Sequence, residues 1–100
     1  MKNVVLFVSF QLNDMSLLPD WKKMSDGINE SLIHVDGFIA RDSTIGEDNK
    51  VYCIVKWEST EKQTAFRKSF ESNPKMKNEM IEFARIVNME TMTSEILKVI

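Results

Sequence analysis

Gly37 to Ser59, GFIARDSTIGEDNKVYCIVKWES, is the stretch whose reading decides the fold. Phe38 to Ile45 and Lys50 to Trp57 are strand-like, and Gly46-Glu47-Asp48-Asn49 between them has the composition of a short hairpin loop. In the second run Val51, Cys53, Val55 and Trp57 fall on one face by period-two alternation; Tyr52 and Ile54 begin the other face before it turns polar at Lys56 and Glu58. The hairpin's second strand is therefore expected to be largely buried. Ser59 or Thr60 can cap a helix with Glu61 and Lys62 in its first turn and Phe66 and Phe70 on one side.

Upstream, Asn3 to Leu12 (NVVLFVSFQL) is apolar in both alternating sets, Val4, Leu6, Val8, Phe10 and Leu12 against Val5 and Phe7, the pattern of a strand covered on both faces. Pro19 suits the first turn of a helix, where a missing N–H costs nothing, and Trp21, Met24, Ile28 and Leu32 form one apolar stripe on a helix ending near His34. Asp36-Gly37 returns the chain to the sheet. Downstream, Asn73-Pro74 interrupts the helix after Ser59; a further helix is expected from about Lys75 to Asn88, with Met76, Met80, Phe83 and Val87 as its stripe. Met92 to Ile100 reads as the last strand. The order is β-α-β-β-α-β, an α+β, ferredoxin-like arrangement with a four-stranded antiparallel sheet and its helices on one face. Because the first strand is apolar on both sides, the uncovered sheet face calls for a cover, and a second copy in a two-fold homodimer is the simplest one.

The chain has 100 residues, the size of one domain spanning 1–100. Its 13 basic and 15 acidic side chains give a net charge of −2 with no basic field, which argues against a nucleic-acid partner. The apolar run after Met1-Lys2-Asn3 is interrupted by Ser9, Gln11 and Asn13 before it could act as a leader or membrane segment, so the protein is expected to stay in the cytoplasm, off the membrane. Cys53 is the one cysteine, which excludes an intrachain disulfide and a thiolate zinc cluster, and it reads as packing.

Gly37 opening its strand, the acidic hairpin loop Glu47-Asp48-Asn49, Val-Lys-Trp-Glu-Ser from Val55 to Ser59 ahead of a helix, and the Ser72-Asn73-Pro74 break together resemble the antibiotic biosynthesis monooxygenase (ABM)-like family of the dimeric α+β barrel superfamily. The element order extends that resemblance to nearly the full chain. It implies a homodimer with a hydrophobic pocket between sheet and helices. It also implies a monooxygenase acting on an aromatic or quinol-like substrate without metal or flavin, the substrate activating oxygen as a carbanion. Other members degrade haem, using an Asn in the first strand, a Trp in the helix after Trp-Glu-Ser and a His further along. Here those positions fall at or near Phe7, Phe66 and Met76, so the amide, the indole and the imidazole ligand are all missing. Many relatives carry a histidine in the short helix, and Phe66 stands in that place.

The candidate chemistry is sparse. His34 is the one histidine, readable as a general base at a pocket mouth or as a helix C-terminal residue well placed in the dipole. Ser9 and Tyr52 are the other candidates to assist a deprotonation. Phe7, Trp21, Trp57, Phe66 and Phe83 are candidates to line a substrate pocket, and equally a small core. Arg41 could hold an anionic or enolate oxygen, though a salt bridge is the commoner use of such a residue. No nucleophile-elbow glycines accompany a serine, the carboxylates show no ligand spacing with His34, and the glycines are too scattered for a phosphate cradle, so hydrolase chemistry, a metal and a cofactor are not expected. Two functions remain open. One is an oxidoreductase of the ABM type; the other is a non-catalytic small-ligand-binding or stress-related dimer that uses the same pocket.

Overall fold

The computed structural model of the chain describes residues 3 to 100; Met1 and Lys2, which begin the stretch read above for a leader, lie outside the described residues. The elements are β1 (Val4–Leu12), α1 (Leu18–Leu32), β2 (Phe38–Ile45), β3 (Lys50–Trp57), α2 (Thr60–Ser72), α3 (Lys77–Ile86) and β4 (Val87–Lys98), with single 3₁₀ turns at Met15–Leu17 and Pro74–Met76. The four strands form one sheet in the order β2-β3-β1-β4, every pairing antiparallel. The expected ferredoxin-like order is present, with the second helical position divided into α2 and α3. No helix among the described residues is long and apolar enough to cross a membrane.

Local chemistry sets most boundaries. Asp14 accepts a hydrogen bond from the Ser16 N–H ahead of α1, and Pro19 sits in the first turn of that helix. Ser59 is the cap of α2, its hydroxyl accepting from the Lys62 N–H. Asn73 takes an extended conformation before Pro74, as a residue preceding proline prefers, and its side chain accepts from the Lys75 N–H. Gly37 has φ +89°, and a Cβ there would come within 2.4 Å of the Lys62 Cβ, so this turn needs glycine both for its backbone and for the close approach of α2.

One boundary corrects the sequence reading. The last helix ends at Ile86 rather than Asn88, and the last strand begins at Val87 rather than Met92. Val87 is buried as expected, but in extended backbone (φ −99°, ψ 131°), so a residue placed on the helical stripe instead opens the strand. The cause lies more than seventy residues away. The Asn13 side-chain amide donates to the carbonyls of Ala84, Arg85 and Val87, and the Asn13 backbone N–H donates to the Ile86 carbonyl, so carbonyls left over where α3 ends are met by the residue that follows β1. A second irregularity follows: the β1–β4 register shifts between Ser9, opposite Thr93, and Gln11, opposite Asn88. There the Thr91 hydroxyl accepts from the Gln11 N–H at 2.8 Å and donates to the Asn88 carbonyl.

The helices cover one sheet face. Phe10, Leu12, Trp21, Val51, Cys53, Ile86 and Val87 form one buried cluster, and Val4, Leu32, Val55 and Trp57 a second, bridged by Ile28 of α1. Phe10, Trp21 and Phe83 meet edge-on, and Trp57 lies between Phe38 and Phe66. The register puts Val5, Phe7 and Ser9 of β1 beside Lys56, Ile54 and Tyr52 of β3 on the opposite face. That face carries no helix. Val5 and Phe7 are half-buried and Ile54 is exposed, so the prediction that β1 is covered on both sides is met on the helix side only within one protomer.

Candidate functional site

The described residues place the sequence-selected side chains in several environments rather than one. Trp21 of α1 and Arg41 of β2 come together at a cleft between these two elements. Trp57 and Phe66 belong to the second core cluster, and Phe83 packs against the first. Phe7, Ser9 and Tyr52 lie across the sheet. Phe7 and Tyr52 are 6.0 Å apart between ring centres, Ser9 is buried with its hydroxyl 2.8 Å from the Thr93 hydroxyl, and the Tyr52 hydroxyl donates to Asp48 at 2.8 Å. His34 is exposed in the turn after α1. Ser9, Tyr52 and His34 therefore do not meet Trp21 and Arg41 within a protomer.

The cleft has a volume of about 310 Å³, walled by Leu18 and Trp21 on α1 and by Ile45 and Val51 on the sheet. Beneath its mouth runs a polar network of which the sequence reading picked out Trp21 and Arg41 and missed Ser25, Asn29 and Ser43. The Arg41 Nη1 donates to the Ser25 hydroxyl at 2.7 Å, the Asn29 side-chain carbonyl at 2.7 Å and the Ser25 backbone carbonyl at 3.3 Å. Its Nη2 reaches the Cys53 sulfur at 3.9 Å, and the Cys53 thiol points in turn to the Ser43 hydroxyl at 3.7 Å. The Trp21 indole N–H donates to the same Ser43 oxygen at 3.0 Å. A periodic signal was available: Trp21, Ser25 and Asn29 recur every four residues on α1, and Arg41 and Ser43 alternate on β2, so both rows face one another.

The electrostatics of this network are unbalanced. Among the described residues the ion pairs join Lys62 to Asp36, and Arg85 to Asp20 and Glu82; Arg41 is in none of them. Asp26 and Asp42 line the cleft, yet neither carboxylate lies within salt-bridge distance of Arg41. Burial pushes the Cys53 thiol up from its ordinary value, against the opposing effects of Ser43 and Arg41, so this sulfur stays protonated and is a poor nucleophile. Across the sheet, the Asp48 carboxylate raises the Tyr52 phenol, which disfavours Tyr52 as a base near neutrality. Among the described residues no cluster of His, Cys, Asp and Glu has the arrangement of a metal site.

With the fold and cleft established, the chain takes its place among known structures. Its α+β, ferredoxin-like fold is the one that ABM-type monooxygenases also adopt. A candidate antibiotic biosynthesis monooxygenase from Nitrosomonas europaea superposes with a TM-score of 0.78 at 12% identity, over 98% of this chain and 90% of that one. SnoaB, a cofactor-independent oxygenase from Streptomyces nogalater, superposes with a TM-score of 0.74 at 12% identity, over 99% and 94% of the two chains. A NIPSNAP family protein of unknown function from Agrobacterium tumefaciens gives 0.72 at 16% identity, over 97% and 87%. No protein-family model matches the sequence, and no curated protein matches it in sequence. At such identities the likeness defines a fold shared by proteins of different function.

Proposed function

We propose that the protein is a cofactor-independent monooxygenase or related small-molecule enzyme that takes an aromatic or quinol-like substrate into the cleft between α1 and the sheet, against the Trp21 indole. The observation that carries this reading is the pairing, in one cleft, of an apolar aromatic wall with a guanidinium that no carboxylate neutralises. The fold it shares with a cofactor-independent oxygenase supports the reaction class. In that reaction a deprotonated substrate carbon reduces dioxygen: a C–O bond forms, one oxygen atom stays on the carbon as a carbonyl, and the other leaves as water. The protein's task is to bind, orient and desolvate the substrate in the cleft; Ser9 and His34, which lie outside the cleft within a protomer, are candidates to assist proton loss provided the dimer brings them to the substrate.

The protein acts as a homodimer in this proposal. Val5 and Phe7 with Ile54 and Leu97, the last two 37% and 44% exposed, make an apolar sheet face that a second copy would cover, enclosing Phe7, Ser9 and Tyr52 between the two sheets. A non-catalytic ligand-binding dimer is the second reading. One observation favours it: none of Ser9, His34 and Tyr52 reaches the cleft within a protomer.

Native mass spectrometry followed by oxygen uptake tests both readings. A dimer that consumes one dioxygen per anthrone in the presence of a metal chelator, with turnover reduced in Ser9→Ala or His34→Ala, supports the enzyme. Saturable ligand binding with no uptake supports the binding protein. A monomer removes the dimer.

A further inference from the structure

We infer that the cleft between α1 and β2 selects a ligand bearing an acceptor-only anionic oxygen, a carboxylate, enolate or phenolate, held by Arg41 and Ser43 with its apolar body against Trp21. This deepens the proposed function and rests on its placing of the ligand in that cleft.

Donors outnumber acceptors around Arg41 and Ser43. The Nη1 of Arg41 meets three acceptors, from Ser25 and Asn29, which fixes the plane of the guanidinium. Its Nη2 has only the weak Cys53 sulfur, and its Nε has no acceptor among the described residues. The Nε–Nη2 edge is the fork that binds a carboxylate or a phenolate oxygen with two donors, and it is unused. Ser43 is in the same condition. Its oxygen accepts from the Trp21 indole and from the Cys53 thiol, so its own proton is left to donate. Ser25, which orients Arg41, is 6% exposed, and Arg41 itself is half-buried; its charge is therefore only partly solvated. Surplus donors, a fixed cation and an indole wall favour an aromatic acid or an ionised phenol over a neutral ring. Lys22 at the rim adds positive charge, and Asp26 opposes it. Asp42 pairs with Ile54 and so has its side chain on the other sheet face, which leaves Asp26 as the acid on the cleft side.

The test compares ligands of one shape and different charge on the intact protein. Benzoate and benzyl alcohol are titrated separately at neutral pH, following the Trp21 indole N–H and the Ser25 and Ser43 amides by two-dimensional NMR. Benzoate is expected to shift these resonances saturably, with an affinity about tenfold or more above that of benzyl alcohol. Arg41→Gln is expected to abolish that preference, and Ser43→Ala to reduce it, while Asp26→Asn retains it. The wild-type comparison of the two ligands decides the matter by itself if Arg41→Gln fails to fold. Equal affinity for the two ligands at these residues overturns the charge selection and leaves a neutral pocket standing. No saturable shift there with either ligand overturns the anion site and the placing of the pocket together.

Discussion

The two sides of β3 put neighbouring residues in opposite conditions. Val51, Cys53, Val55 and Trp57 are between 1% and 7% exposed beneath the helices, whereas Ile54, one residue from Cys53, is 37% exposed on the open face. The covered side is a finished core. The open side is an apolar surface with Phe7, Ile54 and Tyr52 at its centre and the Ser9–Thr93 hydroxyl pair beside them. The contrast teaches where stability resides and where assembly is expected, and substitutions on the two sides should therefore differ in kind as well as in size.

The largest expected effect is on the covered side. Trp57 is 2% exposed and its ring lies between Phe38 and Phe66, so Trp57→Ala should cost about 3–5 kcal/mol in urea unfolding. Trp57→Phe should cost much less, because the indole N–H is buried without a hydrogen-bond partner and its removal offsets part of the lost packing. A Phe variant as damaging as the Ala variant would show that the N–H is satisfied in solution. Phe7→Asp attacks the open side. Its expected signature is a halved assembly mass with a folded protomer; a variant that remains dimeric by sedimentation would refute the open face as the contact surface.

The turn into β2 sharpens the contrast further, because a side chain added there would meet α2. Gly37→Ala should cost about 2 kcal/mol or more, since φ is +89° and the added methyl meets the Lys62 side chain. Asn13→Ala should cost about 1–2 kcal/mol by leaving the carbonyls at the end of α3 without their donor. Thermal unfolding with unchanged far-ultraviolet circular dichroism at low temperature checks both. An Asn13→Ala protein as stable as wild type would mean that solvent serves those carbonyls equally well.

The element order, the hairpin and the stripe of Trp21, Met24, Ile28 and Leu32 were legible in the sequence because the periodicity that drives burial is local. The start of β4 was not. Val87 satisfies a helical and an extended pattern equally, and the choice is made by Asn13, whose partners no window of sequence brings near it. The cleft was half legible for a related reason. Trp21 and Arg41 stand out as an aromatic and a cation, but Ser25, Asn29 and Ser43 acquire meaning only when α1 lies against β2 and their oxygens converge on Arg41 and the indole. Ser9 and Tyr52 drew notice as polar residues in apolar strands. Strand alternation, readable in the sequence, already set Tyr52 on the face opposite Cys53 and Trp57; what it could not show is that the helices cover only the Cys53 side, so that Ser9 and Tyr52 point away from the cleft.

The smallest expected effect lies at the rim of the open face. The Lys50 N–H, and then the Tyr52 hydroxyl, hold the Asp48 carboxyl below its ordinary value at the hairpin loop. A carboxyl with a depressed folded-state pKa adds stability that is present above its unfolded value of about 4 and lost as pH falls through the folded value. The stability difference between wild type and Asp48→Asn should accordingly be constant from pH 7 to about pH 5 and narrow on further acidification. Full exposure of the loop keeps that difference small in a lone protomer. Packing of a second sheet over Tyr52 would desolvate the pair and so alter that difference, and the acid dependence, measured at protein concentrations above and below dissociation, therefore reports whether this edge of the face is covered. A dependence that is the same at both concentrations would place the contact surface away from the hairpin.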